Sequence, residues 1–207
     1  MPTFRSGTQA ISQYAVIGTC AAPRAVCHVG LLGNEQSVTA GSEVPVLEMG
    51  PPLNVGARGA PLGQTAAHVV GWLEGITREE RDGIAEWIAD LRTGNVSFAY
   101  IAYPGHQLDE SNGRITRMRF SCAGFVERCY ALGARVLLIG SGGLPEVPLS
   151  ILQNIWDRRV DSAAVRRRVG LQGDGPWQVL LPGYLLHALD KPREGLPYAP
   201  TAGDFAF

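Results

Sequence analysis

At 207 residues, 45% hydrophobic and 18% charged, the chain is long enough to bury one sizeable core and is expected to form a single domain. A formal net charge of -1 gives no electrostatic basis for binding nucleic acid or an anionic membrane, so neither is expected as a partner. The four cysteines, Cys20, Cys27, Cys122 and Cys129, are too few and too scattered for a disulfide scaffold; with no CxxC pair, neither a metal nor a cofactor is expected.

The N-terminus lacks a long apolar stretch after a basic start, and no later run approaches the ~18 apolar residues of a membrane span. The chain is therefore expected to be soluble, without a cleaved signal and without stable membrane insertion. Residues 10–18 have the character of a short strand or helix, and 19–23 that of a turn. Residues 25–34 form a β-rich run closed by Gly33-Asn34. In strict alternation His28 shares a face with Val26 and Gly30, while Cys27, Val29 and Leu31 take the other. Residues 36–40 are expected to return as the second strand of a hairpin. Residues 44–52 form a further strand ending at Pro51-Pro52, in which Glu48 sits among Val46, Leu47 and Met49. A carboxylate so flanked either faces solvent or is held by a partner.

Residues 54–63, rich in Gly, Pro and Ala, are expected to be a loop, and 64–73 a strand whose His68 is structural. Thr77-Arg78-Glu79-Glu80 is a capping box, and Ile84, Ala85, Ile88 and Leu91 give the apolar stripe of a helix that stops near Gly94. Residues 95–103 are strand or extended. Residues 104–114 are expected to be a polar loop containing His106, a rival base for any nucleophile nearby.

In residues 119–133, Phe125, Val126, Cys129, Tyr130 and Leu132 fall at helical spacing and Gly133 stands as the C-cap. Cys122 opens this helix, where unpaired amides and the positive end of the dipole favour an anion; it reads either as a nucleophile or as a small core hydrophobe, and a partner base decides between the two. Gly124, in the same turn, lets another strand or a substrate approach the sulfur. Cys129, about two turns on, is read as core. Gly140-Ser141-Gly142-Gly143 lacks the Lys-Ser or Lys-Thr of a phosphate loop and is a turn. Residues 149–156 look helical, the arginines of 157–168 a solvated face, 182–189 a helix begun by Pro182, and 191–207 an extended tail.

A thiol nucleophile needs a base, and the base needs a third polar group to fix its tautomer. Cys122, His28 and Glu48 supply these parts if the strands bearing His28 and Glu48 pack against the start of the cysteine helix. The expected fold is accordingly one α+β domain over residues 1–207, with its core at about 25–190 and a small antiparallel sheet on the cysteine helix.

Ser121-Cys122-Ala123-Gly124-Phe125-Val126 and His28-Val29-Gly30-Leu31-Leu32-Gly33 resemble the nucleophile and base motifs of the papain-like NlpC superfamily. Because histidine precedes cysteine, the order is similar to the circularly permuted branch that holds YiiX-like hydrolases and the lecithin:retinol acyltransferase group. The resemblance covers about residues 25 to 190. It implies a permuted papain-like fold, Cys122 as nucleophile, His28 as base and Glu48 as the third residue. Ser121 and Ala123 depart from the family's usual Asp and Ser. The implied activity is hydrolysis of an amide through a thioester, with a bacterial cell-wall peptide as substrate. Such an enzyme would work inside the cell or be exported without a cleaved signal as a toxin, with an immunity or secretion partner. Acyl transfer or lipid deacylation by the same thiol, and a non-catalytic binding module, are the alternative readings.

Overall fold

The computed structural model describes residues 8–11, 13–22, 25–33, 36–39, 43–49, 54–61, 67–140, 142–156 and 160–205. The chain is mixed α+β. Its first part supplies strands β1 (Thr8–Ile11), β2 (Val16–Ala22), β3 (Ala25–Leu32), β4 (Gln36–Thr39), β5 (Glu43–Glu48), β6 (Asn54–Pro61) and β7 (Ala67–Gly71). Helix α1 (Arg78–Thr93), strand β8 (Val96–Phe98) and the hairpin β9 (His106–Ser111) and β10 (Arg114–Phe120) follow. Helix α2 (Cys122–Arg128) runs on into a π-helical segment, Cys129–Ala134. Strand β11 (Glu146–Val147), helices α3 (Leu149–Trp156) and α4 (Ala163–Arg168), strand β12 (Trp177–Gln178), helix α5 (Pro182–Leu189) and a short 3-10 turn (Arg193–Gly195) complete the order.

The central layer is a five-stranded antiparallel sheet in the order β6-β5-β3-β2-β7. Helices α2, α3 and α5 pack on β3, and the main core lies between sheet and helices. There Phe125 and Val126 of α2 meet Val26, Val29 and Leu31 of β3, all of them fully buried. Each such side chain contributes about 1.5–3 kcal/mol on leaving water, so the sheet face fixes α2 without help from its length of seven residues. A smaller cluster of Ala15, Ile17, Leu32, Val46 and Val70 forms a second core.

Helix α1 matches its sequence signals. The Thr77 hydroxyl accepts from the Glu80 amide at 3.2 Å, the Glu80 carboxylate accepts from the Thr77 amide at 2.8 Å, and Gly94 ends the helix. No helix among the described residues is long and apolar enough to cross a membrane.

Several expectations need correction. The turn placed at residues 19–23 is strand through Ala22. Strand β4 does not return alongside β3; it pairs antiparallel with β1 in a separate two-stranded sheet. The loop placed at 54–63 is strand β6 over Asn54–Pro61, because β5 offers it an open edge to pair with. The loop placed at 104–114 is the β9–β10 hairpin. Its turn is Asn112-Gly113 with φ of 53° and 70°, the left-handed pair that matches the twist of two strands. The cysteine helix does not stop at Gly133. It widens into the π-helix and ends at Arg135, whose φ of 56° puts the cap there. The tail beyond residue 190 is anchored: Arg193 bonds Glu80, and the Tyr198 amide donates to the Leu138 carbonyl at 2.8 Å. Arg158 and Arg159 of the expected basic face lie outside the described residues.

At Gly133 the reason for glycine is a close approach. A Cβ on Gly83 of α1 would meet the Gly133 carbonyl oxygen at 2.2 Å, and one on Gly133 would meet the Ile84 Cα at 2.6 Å. Helix propensity alone favours Gly83→Ala by as much as about 1 kcal/mol. Crowding reverses the sign here, and we expect this variant to lose about 1–3 kcal/mol in urea unfolding.

Candidate functional site

Three elements deliver the side chains. Ser121 caps α2: its hydroxyl accepts from the Gly124 amide at 3.1 Å and donates to the Gly105 carbonyl at 3.2 Å, while its amide donates to the same carbonyl at 2.8 Å. Cys122 thus occupies the first helical position, where backbone amides have no intrahelical acceptor. Gly124 lies directly on the backbone of Gly105, since a Cβ there would stand 2.0 Å from the Gly105 oxygen. The absent side chain therefore admits the chain's own strand entry rather than open space for a substrate.

His28 sits beside a bulge. Thr19 pairs with His28, whereas Cys20 pairs with Val26, so β3 carries one extra residue at Cys27. Bulges turn side chains out of strict alternation. Val26, Val29 and Leu31 accordingly all enter the main core, which corrects the simple two-face reading of this strand.

On the neighbouring strand Glu48 stands opposite Gly30. A Cβ on Gly30 would lie 2.5 Å from Val46 Cγ1 and 3.2 Å from the Glu48 Cβ, so glycine clears the diagonal between His28 and Glu48. The His28 Nε2 and the Glu48 Oε2 are 2.8 Å apart, with the two side chains 33% and 18% exposed. Cys122 is the other hydrogen-bonding partner of the His28 ring.

Burial of the ring opposes its charge. Hydrogen bonds to the Cys122 sulfur and to the Glu48 carboxylate, with the electrostatic attraction of these two neighbours, outweigh that cost, and the His28 pKa is pushed up to about 10. Proton uptake by His28 therefore stabilises the fold, because the unfolded value is near ~6.5. This contribution is complete below that value and disappears as pH rises through about 10.

The rival base is engaged elsewhere. His106 begins strand β9 rather than lying in a loop, and its Nε2 accepts from Arg128, at the opposite end of α2 from Cys122. Burial and then the Arg128 guanidinium hold its pKa below the usual histidine value, which suits a neutral acceptor. Cys129 is fully buried, and burial raises its thiol pKa well above the ordinary range. The side chains of Cys20 and His68 lie outside the described residues. Among the described residues no group of three or more His, Cys, Asp or Glu is placed to hold a metal ion.

Sequence reasoning missed Gly105 and the capping role of Ser121. A serine directly before an apolar helical run was the available signal for the cap; nothing local marked Gly105. Comparison with protein-family models, curated proteins and solved structures finds no match for this chain.

Two outcomes check this geometry. In NMR titrations the His28 ring is expected to stay imidazolium through pH 8 and to titrate near 10, with Glu48→Gln and Cys122→Ala each lowering the midpoint. A midpoint unmoved by both substitutions would contradict the contacts. Gly30→Ala is expected to shift the same midpoint downward by pushing Glu48 off the ring, with a stability loss of about 1–3 kcal/mol from overpacking.

Proposed function

We propose that the chain is a cysteine hydrolase of the permuted papain-like kind, cleaving an amide bond through a thioester. The observation that carries this reading is His28 held between the Cys122 sulfur and the Glu48 carboxylate, 2.8 Å from the latter. A structural histidine needs one partner; one that joins a helix-opening thiol to a carboxylate has the parts of an acyl-transfer site.

In the first step the Cys122 sulfur attacks the amide carbon, a C–S bond forms, and the carbonyl π electrons move onto oxygen. That oxyanion is met by the Cys122 backbone amide and the positive end of α2. His28, holding its proton, passes it to the amide nitrogen as the C–N bond breaks, which releases an amine and leaves the thioester. His28 then takes a proton from an entering water, whose oxygen bonds the acyl carbon. The C–S bond breaks, yielding a carboxylic acid, and the proton returns to the site. Glu48 keeps the ring oriented and offsets its charge throughout.

Cell-wall peptide is the substrate that the motif resemblance implies. If such an enzyme is a toxin, a secretion or immunity partner follows from the same source. The test is to incubate purified wall peptides and, separately, phospholipid vesicles with wild type and Cys122→Ala, and to record acylated protein by mass spectrometry. We expect a hydroxylamine-labile adduct on Cys122 from the amide substrate and none in Cys122→Ala. His28→Ala is expected to lower turnover by about 10²–10⁴-fold, and Glu48→Gln by less. An adduct from vesicles alone would move the reading to lipid deacylation or acyl transfer. No adduct from any acyl donor, with folded protein, would favour a binding module.

A further inference from the structure

The five-stranded sheet ends at β7, and a cavity of about 440 Å³ opens between that edge and the C-terminal end of α5. Its floor is apolar. A Cβ on Gly71 would stand 3.2 Å from Leu186 Cδ2 and 3.2 Å from Leu189 Cβ, so glycine lets α5 sit on the end of the strand. One wall is Trp72 and Glu74, which follow β7; the other is Asp190, Lys191 and Pro192, which follow α5. Arg193 ties the two walls together: its guanidinium donates to the Gly75 carbonyl at 3.4 Å and to the Glu80 carboxylate at 3.0 Å. The space between them is large enough for a small ligand. Strand β2 separates β7 from β3, and none of the described lining residues belongs to the Cys122–His28–Glu48 group.

The wall that follows α5 offers a ligand no backbone donor. The Asp190 amide donates to the Leu186 carbonyl at 3.1 Å, the Lys191 amide to the Ala188 carbonyl at 3.1 Å, and Pro192 has no amide hydrogen. The Lys191 ammonium stands over the Tyr198 ring, 5.2 Å from its centre, so the side chain lends the cavity its stem while its charge faces the tail. The Arg193 charge is matched by Glu80. Glu74, on the opposite wall, is exposed and makes no hydrogen bond or ion pair among the described residues. Asp190 adds a second carboxylate at the negative end of the α5 dipole. Two carboxylates, a helix end of the same sign and an indole above an apolar floor complement a cation carried on an apolar stem. An ammonium donates up to three hydrogen bonds and is attracted to the face of a tryptophan.

We propose that this cavity binds an organic ammonium ion, with its apolar stem on Leu186, Leu189 and Trp72 and its nitrogen paired with Glu74. The inference is independent of the hydrolase reading, because it uses neither the thiol nor the histidine.

The test is calorimetric titration of the full chain with ligands of similar shape and different charge: phenethylamine, 2-phenylethanol and 3-phenylpropionate. Phenethylamine, a cation at neutral pH, is expected to saturate one site, and the neutral and anionic compounds to bind at least about tenfold more weakly. Methylamine, which has the charge without the stem, should also bind weakly. Glu74→Gln is expected to weaken phenethylamine about tenfold and Trp72→Leu about threefold. Glu79→Gln, in the first turn of α1 and outside the lining, should bind as wild type. Cys122→Ala should do so as well. Equal or tighter binding of 3-phenylpropionate would show that Lys191 governs the cavity and would overturn the proposal. Unchanged affinity in Glu74→Gln, loss of binding in Cys122→Ala, or no saturation by phenethylamine would each overturn it too.

Discussion

Two backbones touch at Gly105 and Gly124, and the placement of the candidate nucleophile depends on that contact. The Gly105 carbonyl accepts from both the amide and the hydroxyl of Ser121, and Gly124 presses against the same peptide with no room for a Cβ. Helix α2 is only seven residues long, too short to stand alone in water, so its position is set by packing and capping rather than by propensity. Pinned at Gly105 on one side and buried against β3 on the other, its first turn brings Cys122 to His28. A side chain at either glycine would part the helix from the strand entry and carry the sulfur away.

The electrostatics of the pair follow from the same placement. A largely buried histidine between a thiol and a carboxylate keeps its proton to about pH 10 only while both partners are close, because burial of the ring works in the opposite direction. Gly30 matters for this reason: it stands opposite Glu48 and leaves the carboxylate free to cross to the neighbouring residue pair. His106 shows the contrasting outcome. With an arginine as its neighbour and burial acting in the same sense, it stays below the ordinary histidine value and serves as an acceptor that steadies the end of α2.

Much of this was legible in the residues, and the parts that were not have identifiable causes. Helix α1 was readable because the Thr77–Glu80 box, the Ile84–Ile88–Leu91 stripe and Gly94 are all local and agree with one another. Cys122, His28 and Glu48 could be nominated from residue type and neighbours, since the chemistry of a thiol site demands those groups. Residues 104–114 read as a loop despite the strong hairpin turn Asn112-Gly113, because the strands on either side are polar and show no clean alternation. The bulge at Cys27, the pairing of β4 with β1, and the strand at Asn54–Pro61 are properties of register between distant segments, which no local pattern encodes. Gly105 falls in the same class. Its significance is a contact across 19 positions with Gly124, visible only once the helix is docked.

The central claim, that His28 and not His106 acts on Cys122, is tested most directly by the rate of Cys122 alkylation by iodoacetamide at neutral pH. A neighbouring imidazole that exchanges a proton with the sulfur speeds its attack. His106→Ala is therefore expected to react as wild type and His28→Ala to lose most of the rate. Loss of the reaction in His106→Ala together with its survival in His28→Ala would contradict the account.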